Sequence, residues 1–167
     1  MIYLDNAAST QVHEDVFQEM MPYFKEQYGN PSSIHRYGRL ASKAIEAARK
    51  RIADLINAKQ NEILLTSGGT ESNNTALFGV MRQNRAKQLI TSHIEHDAIL
   101  EPCKQLAKEG FDVVYLPVNS YGMVDIEKLK HSITKETALV SVMFANNEVG
   151  TIQPIKEIAQ ICKQHNV

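Results

Sequence analysis

From Glu62 onward the chain alternates short, continuously apolar runs with segments of helical periodicity. The runs are Glu62 to Thr66, Gln88 to Ser92, Phe111 to Leu116 and Leu139 to Phe144. A strand that is apolar along its whole length has to be covered on both faces. A parallel sheet flanked by helices provides that cover. Between the runs, helices are predicted over Glu71 to Asn84, around Ile99, Cys103 and Leu106, near Asp125 to His131, and over Ile155 to His165. The fold class is α/β, with a mostly parallel sheet and helices on both faces.

The first sixty residues read differently. After a short extended start, His13 to Tyr28 places Val16, Phe17, Met20, Met21 and Phe24 at helical spacing, with Pro22 set to kink or end the helix. Tyr28 to Ser33 reads as a loop, and a second helix follows from about Arg39 to Asn57. No repeat, low-complexity run or Gly/Ser linker interrupts the chain. A length of 167 residues suits one domain. We divide it into a helical segment over 1–60 and an α/β part over 61–167.

A formal charge of -1 gives no basic surplus to drive nucleic-acid binding. The start MIYLDNAAST lacks the charged and apolar regions of a signal peptide, and the longest apolar stretch, Ala138 to Ala145, is far short of the roughly 20 residues of a membrane span. The expectation is a cytoplasmic protein that binds neither nucleic acid nor membrane. Cys103 and Cys162 form no C-x-x-C pair and sit among apolar neighbours, which favours packing over reactivity.

In open α/β sheets, ligands bind beyond the carboxyl ends of the strands. Three loops there carry polar residues and are expected to converge on one pocket. Ser67 to Asn73 holds a Gly68-Gly69 turn and then Thr70 at a helix start, where free N–H groups favour an anion. The same residues also read as a plain turn and N-cap. Ser92 to Asp97 contains His93 and His96; without further ligands at metal spacing they suit ring stacking or proton transfer, or a solvent-facing cap. Asn146 and Asn147 follow the fourth run, and an amide there can hold a phenolate or carboxylate, or simply form a turn. Asp5 and Asn6, after the extended start, are further lining candidates. A phosphate cradle, a flat ring and an amide together fit a phosphorylated planar cofactor.

The stretches YLDNAAST, YGNPSSIHRYG, ILLTSGGTESNN, ITSHIEHDAI and FANNEVGTIQPI occur in order across the chain. Together they resemble the class V aminotransferase-type cysteine desulfurases, in the branch that supplies sulfur for nitrogenase and iron–sulfur clusters. The resemblance implies an incomplete large domain of the fold-type I transferase fold dependent on pyridoxal phosphate. It implies that Gly69 and Thr70 hold the phosphate, that His96 stacks on the pyridine ring and moves a proton, and that Asn147 bonds the ring oxygen. It also places Asn30 to Ser33 and His35 near the active site and a dimer interface. The family's substrate is L-cysteine, converted to L-alanine, with the sulfur passed on as a persulfide to an iron–sulfur scaffold or another acceptor.

The resemblance also implies what this chain does not hold. Family members run to more than twice this length. Their pyridine-nitrogen aspartate, Ser-x-His-Lys lysine and Ser-x-Ala-Cys nucleophile have no counterpart among these 167 residues. The expectation is that this polypeptide alone is inactive, and that it forms a homodimer or is complemented by a C-terminal polypeptide covering the open sheet edge. A selenocysteine lyase or another class V enzyme is the alternative within the same chemistry. A non-catalytic remnant acting as a binding or assembly module is the alternative outside it.

Overall fold

The computed structural model describes residues 2–167; Met1 of the opening motif lies outside them. The chain divides into two compact units, with the boundary between Leu65 and Thr66.

In the first unit, α1 (Glu14–Lys25) begins where the His13 imidazole accepts the Asp15 N–H. It continues three residues past Pro22, because a proline near a helix C-terminus removes only one donor from the ladder. No residue of α1 is buried, and Val16, Phe17, Met20 and Phe24 remain exposed along its apolar stripe. α2 (Arg36–Leu55) starts three residues before the expected position and stops two short of Asn57. Asn57 takes a left-handed conformation, and the N–H groups of Asn57 and Ala58 bond back to Asp54 and Ala53, which closes the helix end.

Among the described residues, two runs expected to be extended form no strand. The extended start before Asp5 pairs with nothing among the described residues; the Tyr3 hydroxyl instead turns back onto Asp5 and Ser9. The run Glu62 to Thr66 also makes no ladder. A 3-10 turn occupies Gln60–Glu62, and Ile63 is extended beyond it. Leu64 is 67% exposed. An apolar run in extended conformation becomes a strand only when another strand takes up its N–H and C=O groups.

The second unit is built on three parallel strands, β1 (Gln88–Ser92), β2 (Asp112–Leu116) and β3 (Thr137–Ser141), in the order β2-β1-β3. All five residues of the central β1 are buried. Its side chains alternate between two cores. Leu89 packs with Leu77 and Met81 of α3 (Gly69–Gln83) and with Ile99, Cys103 and Leu106 of α4 (Asp97–Lys108). Ile90 packs on the other face with Leu129 of α5 (Ile126–Ser132) and Ile158 and Ile161 of α6 (Ile155–His165). A bidentate pair, Arg82 Nη2 and Nε to Glu109 at 2.8 and 3.2 Å, ties α3 to the end of α4. It holds the Glu109 carboxyl below the usual range.

β3 lies earlier than the expected Leu139 to Phe144. It pairs with β1 only as far as Ser141 opposite Thr91, and β1 itself ends one residue later. At the other end of the sheet, the buried Gln88 amide donates to Asp112 Oδ2 at 2.8 Å and accepts from the Thr137 hydroxyl, so one side chain joins the starts of all three strands.

Candidate functional site

The carboxyl ends of β1 and β3 lead into two of the three loops that the sequence singles out, and the third follows the unpaired run Glu62 to Thr66. Gly68 stands at the N-cap of α3 with no side chain capping it, and Gly69 and Thr70 form the first helical positions. A Cβ added to Gly68 or Gly69 would meet nothing within 4 Å, so the approach to these amides is open. The one carboxylate in the first turn, Glu71, bonds back to Ser67, the residue before the two glycines. It accepts the Ser67 N–H at 2.7 Å and the Ser67 hydroxyl at 2.6 Å, bonds that hold its pKa below the ordinary value.

His96 is the N-cap of α4, and its Nδ1 accepts the Ala98 N–H at 3.0 Å. An imidazole whose Nδ1 is the acceptor carries its proton on Nε2, and the His96 side chain is exposed. His93 goes elsewhere. Its ring stacks on Tyr115 of β2 at 5.5 Å between centroids, which gives it a packing partner on the sheet edge.

Thr70 and His96 line one groove of about 540 Å³, together with Asn74, Asp97 and Glu101. The groove runs between α3 and α4. Asn147 is exposed and donates to Glu148 Oε1 at 3.0 Å; it is not among the residues lining that groove. Its loop is nevertheless joined to that of His96. Asn146 Nδ2 donates to the Ile94 carbonyl at 3.0 Å, and the Met143 N–H donates to Glu95 Oε1, also at 3.0 Å. Gly150, at φ +74°, closes the Asn147 loop by donating to the Asn146 carbonyl.

Sequence reasoning assigned no role to Glu95, and it read Asn146 only as a possible ligand-binding amide or turn residue, not as a buried link between loops. The Ser92 hydroxyl donates to Glu95 at 2.6 Å, and burial raises the carboxyl's pKa above its ordinary value. The available signal was a carboxylate placed directly between Ile94 and His96. Asp5 and Asn6 lie in the first unit, where the Thr10 hydroxyl donates to Asn6. In the Asn30 to His35 loop, Asn30 caps Ser32 and His35 caps α2. Neither cysteine is a ready nucleophile: burial, with the nearby Glu95, pushes the Cys103 thiol up to about 11, and burial raises Cys162 as well.

Comparison with known proteins gives a consistent result. The family model described as aminotransferase class-V matches residues 2–167. A protein named cysteine desulfurase IscS, from Dictyoglomus turgidum, is 51% identical over 99% of this chain and 43% of its own length. Cysteine desulfurase IscS 1 from Archaeoglobus fulgidus is 49% identical over 96% of this chain and 43% of its own. A solved NifS-like protein superposes with a TM-score of 0.94 at 43% identity, covering 99% of this chain and 46% of that one. A structure of SspA in complex with cysteine superposes at 0.92 with 38% identity, over 99% and 48%. The chain spans less than half the length of each of these relatives.

Proposed function

The chain belongs to the aminotransferase class-V family, and on that premise we propose that it supplies part of the active site of a pyridoxal-phosphate-dependent cysteine desulfurase. The whole enzyme would convert L-cysteine to L-alanine and pass the sulfur, as a protein persulfide, to an iron–sulfur scaffold or another acceptor. The observation that carries this reading is the clustering of three loops. Thr70 and His96 share a groove, and the loops of His96 and Asn147 are bonded to each other. The cysteine bound in the SspA relative favours that amino acid as substrate.

The residues present fit the cofactor. An uncapped, glycine-lined helix start with open space before it suits a phosphate. The amides of Gly69 and Thr70 and the Thr70 hydroxyl would hold that group. The exposed His96 ring offers a flat face, and Asn147 offers an amide to the ring oxygen in place of Glu148. When bound, pyridoxal phosphate supplies an electron sink for cleavage at the amino acid's carbon. His96 orients the ring and holds a proton at Nε2, with Nδ1 committed to Ala98. To take up a second proton at Nδ1 it must release that N-cap bond, so its proton transfer is coupled to the first turn of α4.

No Ser-x-His-Lys or Ser-x-Ala-Cys sequence occurs in these residues, and Cys103 and Cys162 are poor thiolates. We therefore expect this chain alone to bind the cofactor noncovalently and to release no alanine from cysteine. The exposed stripe of α1 and the apolar groove of Val140, Val142, Ile158 and Val167 beside β3 support a homodimer or a complementing C-terminal polypeptide. The deciding experiment titrates pyridoxal phosphate against the chain by absorbance and fluorescence. Saturable binding weakened by Thr70→Ala and by His96→Ala supports the site. Binding that neither substitution changes overturns it.

A further inference from the structure

Glu95 and Asn146 are 7% and 8% exposed, yet each directly precedes an exposed residue that the proposed function assigns to the cofactor, His96 and Asn147. Burying a carboxylate and an amide is unfavourable unless their bonds are made. Here the bonds are made across the gap between the two loops. Glu95 reaches from the loop after β1 to the Met143 N–H, 48 residues away, at 3.0 Å. Asn146 reaches the other way, to the Ile94 carbonyl, at 3.0 Å. Each side chain is also fixed within its own loop. Glu95 accepts the Ser92 hydroxyl, and Asn146 Oδ1 accepts the N–H groups of Glu148 and Val149, both at 2.9 Å.

The two cross-gap bonds therefore run in opposite directions. One carries a side chain of the first loop to the backbone of the second, the other a side chain of the second to the backbone of the first. Sliding either loop along the strand direction disturbs both bonds, since each joins the same two loops. The next Cα lies only about 3.8 Å along the chain in each case, so the fixed positions of Glu95 and Asn146 pass directly to their neighbours. An apolar pair would fill the same space without the desolvation of a carboxylate, but it would not define a register.

We infer that Glu95 and Asn146 are positioning residues that set the separation between His96 and Asn147, so that one planar ligand meets the imidazole face and the amide together. The ligand in this statement rests on the pyridoxal phosphate reading above; the separation itself does not. Glu95→Gln keeps an acceptor for Met143 and Ser92. Glu95→Ala removes it. Asn146→Asp keeps the acceptor for Glu148 and Val149 but removes the donor to Ile94.

The test uses the full 167-residue chain and two readouts. The first, without ligand, is the NMR-derived distance between the His96 ring and the Asn147 side chain, with hydrogen exchange at Met143. The second is affinity for pyridoxal phosphate compared with affinity for inorganic phosphate, which needs only the start of α3. Glu95→Ala and Asn146→Asp are expected to change the distance and to weaken pyridoxal phosphate roughly tenfold, the scale of one hydrogen bond to a charged or buried group. Phosphate binding stays unchanged, and Glu95→Gln restores both readouts. An unchanged distance in Glu95→Ala overturns the inference. So does a parallel loss of pyridoxal phosphate and phosphate binding, which would mark a general structural role. If the unsubstituted chain binds phosphate but not pyridoxal phosphate, the functional reading fails, and the distance readout alone decides the positioning role.

Discussion

The Nδ1 of His96 accepts the Ala98 N–H at 3.0 Å, so the residue assigned to the cofactor ring also caps α4. The two roles can be separated. His96→Asn retains a short side-chain acceptor and should leave stability near that of the parent. His96→Ala should lose about 1 kcal/mol, the usual contribution of an N-cap. Both should weaken pyridoxal phosphate, since neither has a ring. Urea denaturation and ligand titration of the two variants measure these effects independently.

Glu95 is raised above its ordinary value of 4.5 chiefly by burial, against the opposing hydrogen bonds from Ser92 and Met143. Its protonated form is thus favoured in the fold. The associated stability is fully present below pH 4.5 and is lost as pH rises through the raised pKa. Glu95→Gln removes that loss while keeping the acceptor. The variant is expected to melt above the parent at pH 7, with the gap closing as the pH falls toward 4.5. A melting difference that does not vary with pH would contradict this.

Cys103 shifts from an ordinary 9.0 to about 11, first through burial and then through Glu95. Its contribution to stability is present below pH 9.0 and lost as pH rises through about 11. Cys103→Ala should flatten that alkaline limb. At pH 8, iodoacetamide should label the half-buried Cys162 before Cys103 in the folded chain, and both together in urea. Mass spectrometry of the labelled peptides gives the order.

Gly38 lies in the first turns of α2, where an alanine ordinarily gains up to about 1 kcal/mol over glycine. Here a Cβ would collide with the carbonyl oxygens of Ser33 and Asn30. Those are backbone atoms in a turn held by the Ser33 N–H to Asn30 carbonyl bond at 3.0 Å, so they cannot yield without breaking it. Overpacking of this kind typically costs about 1–3 kcal/mol, and the clash outweighs the propensity gain. Gly38→Ala should speed hydrogen exchange at the start of α2 and leave β1 unchanged.

The sequence carried the second unit well because its strands are apolar on both sides and its helices have clear stripes. Gln88 to Ser92 and Ile155 to His165 were readable to the residue. Ile63 to Thr66 misled for a physical reason: apolar content states a preference for cover, whereas a ladder needs a partner that composition cannot name. The end of β3 was set by the length of β1, not by Val142 to Phe144. In the same way, the loops were found from their place after apolar runs, two of which form strands. The burial of Glu95 and Asn146 was not, since it depends on groups about fifty residues away in the chain.

The Gln88 amide has a mechanical consequence. It clamps the three strand starts, so a tilt of β2 or β3 pivots there and acts on a lever the length of β1, about 13 Å at ordinary strand rise. A tilt of about 5° at this fulcrum would displace the loop-bearing ends by roughly 1 Å, enough to break a hydrogen bond. A substitution at Gln88 would act on ligand geometry from the far end of the sheet, without touching any residue that faces the groove.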